Sequence, residues 1–335
     1  MGIDLPLIWA AIIAVGVIMY VILDGFDLGI GILFPFFREK EERDTMMHSV
    51  APVWDGNETW MILGGAGLLG AFPLAYSVLL SALYLPLILM LVALIFRGVA
   101  FEFRFKAEGE HRWWDLAFFG GSLIATFMQG IALGVFISGI EMDGRDYAGA
   151  PLAWLTPFSL FVGAALVCGY ALLGAGWLLL KTEGALQEKV WEIYRPLLVL
   201  VFLAVATISL WTPLADPRIS ARWFAWPNTV ILLPVPALVA LLAYALLRAV
   251  QNRQERRPFV LTLGLFLLSY LGLAISLWPN IIPPAVTIWD AASPAESQGF
   301  MLIGTLVLLP IIIGYTAYSY WIFRGKVRAD VGHYH

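Results

Sequence analysis

Two short acidic stretches constrain how this chain can fold: WDGNETW at residues 54–60 and LDGFD at residues 23–27. Each lies at the edge of, or inside, a segment that is otherwise apolar enough to cross a bilayer. An ionisable side chain deep in hydrocarbon costs roughly 2.5 to 3.5 kcal/mol on insertion scales. These carboxylates therefore need partners that compensate their charge, and they are the first candidates for function.

Helical spacing groups the acids in two pairs. Asp24 and Asp27 are three residues apart, as are Asp55 and Glu58, and residues at this spacing share a helix face. Two acidic faces turned into the protein indicate a proton relay, a cation site or a docking surface for a buried partner group. A simpler alternative for the second stretch is that Asp55 and Asn57 cap the start of a helix.

Composition places the chain among polytopic membrane proteins. Hydrophobic residues make up 61% of its 335 residues and only 13% are charged, against about 25% charged in a soluble domain. The single cysteine, Cys168, excludes a disulfide framework and a thiolate metal site. A lipid bilayer is the expected environment, and no nucleic-acid partner is expected.

About 20 apolar residues are needed for one crossing of the membrane. The sequence contains nine such runs, at residues 6–34, 54–72, 76–101, 116–140, 156–180, 194–214, 226–248, 258–280 and 299–323. We therefore predict one all-α transmembrane domain, residues 1–335, with nine transmembrane helices. A short echo of residues 24–28 at 168–172 favours two four-helix bundles as half-repeats, 1–150 and 151–281, plus the extra helix at 299–323.

Charge bias predicts the orientation. With the N-terminus outside, all but three of the 20 basic residues fall in the inside segments, which are 35–53, 97–115, 181–195, 248–257 and a tail containing Arg324, Lys326 and Arg328. The positive-inside rule then places the N-terminus outside and the C-terminus inside. Asp24 lies about 28 Å along the first span, so both acidic stretches are expected near the inner surface, at an entrance for cytoplasmic protons.

The sequence offers little for catalysis within this chain. Haem iron in a membrane bundle needs His, Met or Cys ligands that project from the spans. The four histidines instead fall in inner loops or the tail, at His48, His111, His333 and His335. There is no glycine-rich phosphate loop and no zinc-ligand spacing. We expect no catalytic residue and no metal site in this chain.

Four stretches carry a resemblance to a known family: DGFDLG at 24–29, APVWDGNETW at 51–60, FRGVAFEFR at 96–104 and TIWDA at 287–291. In this order and spacing the chain resembles subunit II of the cytochrome bd-type ubiquinol oxidase family, in its cyanide-insensitive branch. The resemblance covers essentially the whole chain. It implies a subunit of a terminal oxidase in the bacterial cytoplasmic (inner) membrane. The complete oxidase would oxidise quinol and reduce O2 to water, and this chain alone would be inactive.

The resemblance also implies the partners and cofactors. Haem b and haem d would be ligated by a homologous larger subunit I, with which this chain forms a heterodimer. A small single-span accessory subunit and a quinone bound in this chain are further expectations. Subunit II would support the haem-bearing bundle and contribute to proton delivery from the cytoplasm.

Individual roles follow from the family's motifs. The residues expected in the proton pathway or in its support are Asp55, Asp24, Asp27, Glu58, Trp54, Asn57 and Arg97. Asp55 matches the family's proton-path aspartate, and Arg97 is expected as a counter-charge on the inner side. The alternative for Arg97 is that it extends to the interface, as arginines at helix ends ordinarily do. Trp289 and Asp290, on the outer side, are expected to contact the partner.

Two other functions stay open at this point. A proton-coupled secondary transporter would also have acids within its spans, helices broken by glycine and an internal repeat, but these acids gather toward the inner face. A structural assembly factor would have no direct part in chemistry. An oxidase subunit should copurify with a coloured, haem-bearing partner, whereas a transporter should be colourless.

Overall fold

The computed structural model describes residues 3–107 and 111–327, and within them the chain forms twelve α-helices and two short β-hairpins. Arg328, His333 and His335 lie outside the described residues. The helices are α1 Leu5–Leu33, α2 Lys40–His48, α3 Trp54–Ala71, α4 Pro73–Arg104, α5 Arg112–Ser138, α6 Pro157–Lys181, α7 Gly184–Ala215, α8 Pro217–Phe224, α9 Asn228–Leu232, α10 Pro234–Gln251, α11 Arg257–Leu277 and α12 Ala295–Ile322. Antiparallel strands β1 Met142–Asp143 and β2 Asp146–Tyr147 form one hairpin, and β3 Asn280–Ile282 and β4 Val286–Thr287 form the other.

Eight segments of the described chain are helical, long and apolar enough to cross a membrane. They are Leu5–Phe36, Pro73–Arg104, Arg112–Ser138, Pro157–Lys181, Gly184–Ala215, Asn228–Gln251, Arg257–Leu277 and Ala295–Ile322. Helix α3, which covers the predicted span at 54–72, is not among them. It is 18 residues long, but its first turns contain Asp55, Asn57 and Glu58, and it packs along α1. The predicted total of nine spans therefore stays a prediction.

Several helices extend beyond the apolar runs predicted to cross the membrane, because apolar composition marks only the hydrocarbon part of a helix, whereas backbone hydrogen bonds continue into the polar interface. Helix α7 begins at Gly184 rather than at 194, and α4 ends at Arg104 rather than at 101. The predicted span at 226–248 is divided into α9 and α10, which meet at Leu233 and Pro234. Proline lacks the amide hydrogen that a continuous helix would use there.

Glycines let α1 lie directly against the backbone of α6. A Cβ atom on Gly29 would stand 1.8 Å from the carbonyl oxygen of Tyr170, and one on Gly174 would stand 2.5 Å from the carbonyl carbon of Gly29. The Tyr170 ring fills the space beside Gly25, where a Cβ would be 2.9 Å from it. The two echoed stretches, 24–28 and 168–172, therefore lie against each other at this crossing, as close packing of small residues allows.

Polar contacts between loops of the described chain fall into two groups, one at each end of the bundle. Segments predicted to be inside are joined to one another by Lys189–Glu42, Arg253–Glu188 and Lys326–Glu255 ion pairs. Segments predicted to be outside are joined by hydrogen bonds from Trp289 to Asp4, from Trp9 to the carbonyl of Gln298 and from the amide of Ser293 to the carbonyl of Ala71. The charge bias in the sequence thus corresponds to two opposite ends of one helical bundle.

A ladder of alternating charges ties α2, α4 and α5 together at the end of the bundle that is predicted to be inside, the predicted inner end. Arg104 is 1% exposed; its Nε lies 2.6 Å from Asp115 Oδ1 and its Nη1 lies 2.5 Å from Asp44 Oδ1. Arg43 also pairs with Asp115, at 2.6 Å. Partial burial acts to raise the pKa of Asp44, but hydrogen bonds from Lys40 and Arg104 outweigh it and hold that pKa below its usual value. The stability that Asp44 contributes is therefore present above the ordinary aspartate range and is lost as the pH falls through the lowered pKa.

Replacing Arg104 with Gln should destabilise the protein by about 2 to 4 kcal/mol, because it leaves Asp44 and Asp115 without their shared buried cation. The measurement is thermal unfolding of the detergent-purified protein. Lys106→Gln is the matched control, since Lys106 and its partner Glu102 are exposed and exposed ion pairs contribute little. Equal melting temperatures for the two variants would show that the ladder does not hold the inner end together.

Candidate functional site

Arg97 lies at the centre of the site and is fully buried. Its Nη2 atom is 3.1 Å from Asp24 Oδ1 and 4.0 Å from Asp27 Oδ2. Both carboxylates are also fully buried. The alternative in which Arg97 extends to the membrane interface is wrong, because the helix crossing brings two acids of α1 within reach of this position on α4.

Two aromatic rings pack against the guanidinium of Arg97, and a glycine lies against its backbone. The Cζ atom of Arg97 lies 5.7 Å from the ring centroid of Trp54 and 5.6 Å from that of Phe101. These two rings stack on each other with centroids 4.8 Å apart. On α5, a Cβ at Gly121 would stand 2.9 Å from the amide nitrogen of Arg97 and 2.5 Å from the carbonyl oxygen of Ala93. Glycine at this position therefore sets how closely α5 approaches α4.

Asn57 connects the acids of α1 to two further helices. Its Nδ2 donates to Asp27 Oδ2 at 2.7 Å, and its Oδ1 accepts from the Tyr320 hydroxyl at 2.8 Å. The interpretation of Asn57 as a helix cap is wrong, because its side chain points into the bundle and α3 begins after Val53 with no side-chain cap. Sequence reasoning missed Tyr320, since it is one of several aromatics near the end of an apolar helix.

The two acids at the start of α3 lie in different environments. Glu58 is half-buried and within electrostatic range of Arg97 and Asp24. Asp55 is exposed and does not cap the helix with its side chain. Residues three apart on a helix are offset by roughly 60° around its axis, so one can face the bundle while the other lies outside it. The structure thus brings together Asp24, Asp27 and Glu58, with Asp55 on the exposed side of the same helix.

A second polar group continues from Asp24 into the bundle. Gln129 Nε2 donates to the Tyr20 hydroxyl at 2.8 Å, and the Tyr170 hydroxyl donates to Gln129 Oε1 at 3.0 Å. Tyr20 is one helical turn before Asp24 on α1. Sequence reasoning missed these three residues, although Gln129 is an amide within the predicted span at 116–140.

Trp289 and Asp290 lie at the opposite end of the bundle. The Asp290 carboxylate accepts from the amide and the hydroxyl of Thr287, and these hydrogen bonds lower the pKa of Asp290. The indole of Trp289 donates to Asp4 at 3.1 Å. Locally, the pair closes a turn and attaches it to the start of α1. Contact with a partner stays a prediction for both residues.

The two described histidines each have a local contact. His48 stacks on Phe105 at the inner end, and partial burial lowers its pKa. His111 uses Nδ1 to contact the carbonyl of Arg104. Among residues 3–107 and 111–327, no three His, Cys, Asp or Glu side chains come together as metal ligands. The candidate site is an arrangement of three acids, one guanidinium and hydrogen-bonding side chains.

Comparison with known proteins gives one consistent result over nearly the whole chain. The model of the family described as cytochrome bd terminal oxidase subunit II matches residues 5–323. The chain is 30% identical to the cytochrome bd-I ubiquinol oxidase subunit 2 of Escherichia coli, over 97% of this chain and 96% of that protein. It is 28% identical to the cytochrome bd ubiquinol oxidase subunit 2 of Bacillus subtilis, over 96% of each chain.

A solved structure shares the fold. One chain of the bd oxidase from Geobacillus thermodenitrificans superimposes with a TM-score of 0.75 at 18% identity, covering 96% of this chain and 99% of that chain. At this identity the similarity concerns the arrangement of helices.

Adjacent glycines on α5 allow a test of how the site is positioned. Gly121→Ala should destabilise the protein by about 1 to 3 kcal/mol, because the added methyl group forces α5 away from the backbone beside Arg97. Gly120→Ala is the control, since a Cβ there meets nothing within 4 Å in the described residues. Thermal unfolding of both purified variants measures the difference. Equal stability of the two would contradict the close approach.

Proposed function

Because the chain belongs to the cytochrome bd terminal oxidase subunit II family, we propose that it conducts protons from the inner side of the membrane toward the redox centre of its partner. The chain is a subunit of a quinol oxidase, an oxidoreductase complex of the respiratory chain, and a multi-pass protein of the bacterial inner membrane. Membership in this family implies a subunit I partner. The transporter alternative is not favoured.

The observation that carries the proposal is the buried group of Arg97, Asp24 and Asp27. One guanidinium faces two carboxyl groups, all three fully buried. Ionising both acids would leave an uncompensated buried charge, which costs several kcal/mol. The two acids therefore share one proton, as coupled carboxyl pairs do. Asp24, the closer to Arg97, keeps the negative charge, and Asp27 carries the proton that moves.

The route to this pair begins at the start of α3. Asp55 is exposed, Glu58 stands at the rim of the buried group, and Asn57 holds Asp27 from the same helix. Protons taken up at Asp55 would pass by way of Glu58 to Asp27. This route follows from the offset of the two acids around the axis of α3, which places Asp55 outside the bundle and Glu58 at its edge.

The exposed stripe of α3 supports a position for the partner. It runs through Asp55, Thr59, Ile62, Ala66 and Leu69, which recur at helical spacing on one face. A carboxylate and a hydroxyl are unsuited to a surface in contact with lipid tails. We therefore place subunit I over this stripe and treat α3 as the ninth crossing, with the N-terminus outside and the C-terminus inside.

The cofactors belong to the partner in this proposal. We place haem b and haem d in subunit I, because the described histidines of this chain lie in the inner-end ion-pair region and not within spans. Haem supplies electron transfer and O2 chemistry when bound there. In this proposal the residues of this chain deliver protons, and Arg97 balances the buried carboxylate charge.

Asp27→Asn should lower quinol-driven O2 consumption by about tenfold or more, because an amide cannot carry the proton. Haem content per complex should be retained, since Asn keeps the size of the side chain. Asp143→Asn, in the exposed hairpin β1–β2, is the control and should turn over normally. A fully active Asp27→Asn complex would remove this residue from the route. Asp27→Glu, which restores a carboxyl group, should recover part of the rate.

Asp55→Asn should slow O2 consumption several-fold, as loss of an entrance acid slows proton uptake without stopping it. The effect should shrink as the pH falls and protons become more abundant. Glu41→Gln is the matched control, because Glu41 is also an exposed carboxylate at the inner end. Equal rates for Asp55→Asn and the control at every pH would show that protons enter elsewhere.

A further inference from the structure

Tyr320 lies near the end of α12 and is connected to the acids through one side chain, Asn57 of α3. Its hydroxyl donates to Asn57 Oδ1 at 2.8 Å, and Asn57 Nδ2 donates to Asp27 Oδ2 at 2.7 Å. Asn57 is 1% exposed and Asp27 is fully buried. The proposed proton route uses Asp27 but gives no role to Tyr320. These two hydrogen bonds join α12 to the acid that carries the proton in that route.

The backbone of α1 determines which way the Asn57 amide faces. Asn57 Nδ2 also lies 3.4 Å from the carbonyl oxygen of Leu23, which is one turn before Asp27 on α1. A carbonyl oxygen only accepts hydrogen bonds, so the nitrogen of the amide, and not its oxygen, faces α1. The amide oxygen therefore faces α12, where the Tyr320 hydroxyl donates to it. Tyr320 thus holds the Asn57 amide in this orientation by its oxygen.

Tyr320 is itself fixed by contacts with two other helices. Its ring packs edge-on against Phe26 of α1 and Trp177 of α6, with centroids 6.5 Å and 6.1 Å away. Just beyond it, the buried ammonium of Lys181 on α6 donates to the carbonyl of Phe323, at the end of α12. A cation is favourable beside the last carbonyls of a helix. The position of the Tyr320 hydroxyl is therefore determined by the packing of α12 on α1 and α6.

The two oxygens of Asp27 have different surroundings. Oδ2 accepts from Asn57 and lies 4.0 Å from Arg97 Nη2. Oδ1 is buried and has no hydrogen-bond partner within residues 3–107 and 111–327. A protonated carboxyl group has one O–H group and one carbonyl oxygen that accepts hydrogen bonds. Two groups with positively polarised hydrogens face Oδ2, which favours the carbonyl role for that atom and leaves the acid hydrogen on Oδ1.

We propose that Tyr320 is a positioning residue that acts through Asn57 to keep Asp27 Oδ2 as the accepting oxygen, so that the proton is gained and lost at Oδ1. This inference rests on the proposed proton route. When the proton leaves Oδ1, the electron pair of the O–H bond stays on the carboxylate, and Asn57 continues to donate to Oδ2. Without the Tyr320 phenol, the buried amide oxygen loses its donor and the amide rotates away from Asp27.

The first measurement is the infrared difference spectrum between the oxidised and the reduced purified complex. A hydrogen bond to the carbonyl oxygen of a protonated carboxyl group weakens the C=O bond and lowers its stretching frequency. The band of Asp27 is identified by its loss in Asp27→Asn. In Tyr320→Phe this band should move to higher frequency, because Oδ2 loses its donor. A band that stays in place would overturn the inference, since the accepting oxygen would then not depend on Tyr320.

The second measurement is quinol-driven O2 consumption per haem. Tyr320→Phe should slow it several-fold, because a small displacement at a reacting group lowers the rate. Asn57→Leu removes the donor itself and should slow turnover at least as much. Since Tyr320 acts only through Asn57, the double variant should be no slower than Asn57→Leu alone. Effects that multiply in the double variant would contradict this dependence and overturn the inference.

Tyr270→Phe is the matched control. The Tyr270 phenol also donates to α1, but to the carbonyl of Ala14 at 3.0 Å, ten residues before Asp24. This variant loses one internal hydrogen bond of the same kind, so its infrared band and its rate should match those of the unaltered complex. A merely structural role for Tyr320 would reduce the amount of assembled complex without moving the band.

The positioning role and the proton route fail in different ways. If Asp27→Asn removes a carboxyl band and slows turnover, but the band is unmoved in Tyr320→Phe, only the positioning role is lost. If Asp27→Asn removes no band and turns over normally, Asp27 does not carry the proton. The route itself is then excluded, and the role of Tyr320 with it.

Discussion

The ion pair between Arg97 and Asp24, 3.1 Å long with both side chains fully buried, is the constraint on which the other features of this bundle depend. Either charge left alone inside the bundle would cost several kcal/mol in desolvation, which is a large fraction of the stability of a typical domain. The pair therefore requires that α1 and α4 stay in one relative position. The rings of Trp54 and Phe101 and the hydrogen bond from Asn57 to Asp27 complete the enclosure.

Close contact of helix backbones makes that enclosure possible. Hydrophobic burial gives little reason for one helix to choose another within lipid, so packing and polar contacts decide the arrangement. Here Gly29 and Gly174 bring α1 and α6 together, and Gly121 brings α5 against α4 beside Arg97. The charged ladder around Arg104 then closes the predicted inner end of the bundle. Rigid helices on all sides allow a few polar groups to keep fixed partners within an apolar protein.

A subunit whose partner is proposed to hold the haems still takes part in the chemistry of an oxidase if it manages protons. Reduction of O2 to water consumes protons as well as electrons, and a proton crosses a dry bundle only through groups that exchange it. The arrangement proposed here separates two tasks between two similar acids on one helix. Asp24 compensates Arg97, and Asp27 carries the proton. Their difference comes from their neighbours and not from their chemistry, a common way for proteins to give two carboxyl groups different roles.

Much of this architecture follows from local sequence. Apolar runs place most of the helices, basic residues distinguish the two ends, and the spacing of Asp24 and Asp27 puts both acids on one face, because each property depends on residues close together in the chain. The ends of the helices were predicted less accurately, since the apolar composition stops before the helix does. The partners of the acids could not be read in the same way. Three features depend on which helices become neighbours. They are the inward direction of the Asn57 side chain, the burial of Arg97, and the hydrogen bond that joins Tyr320 to Asn57 across 263 residues. That choice is made by the packing of the whole bundle.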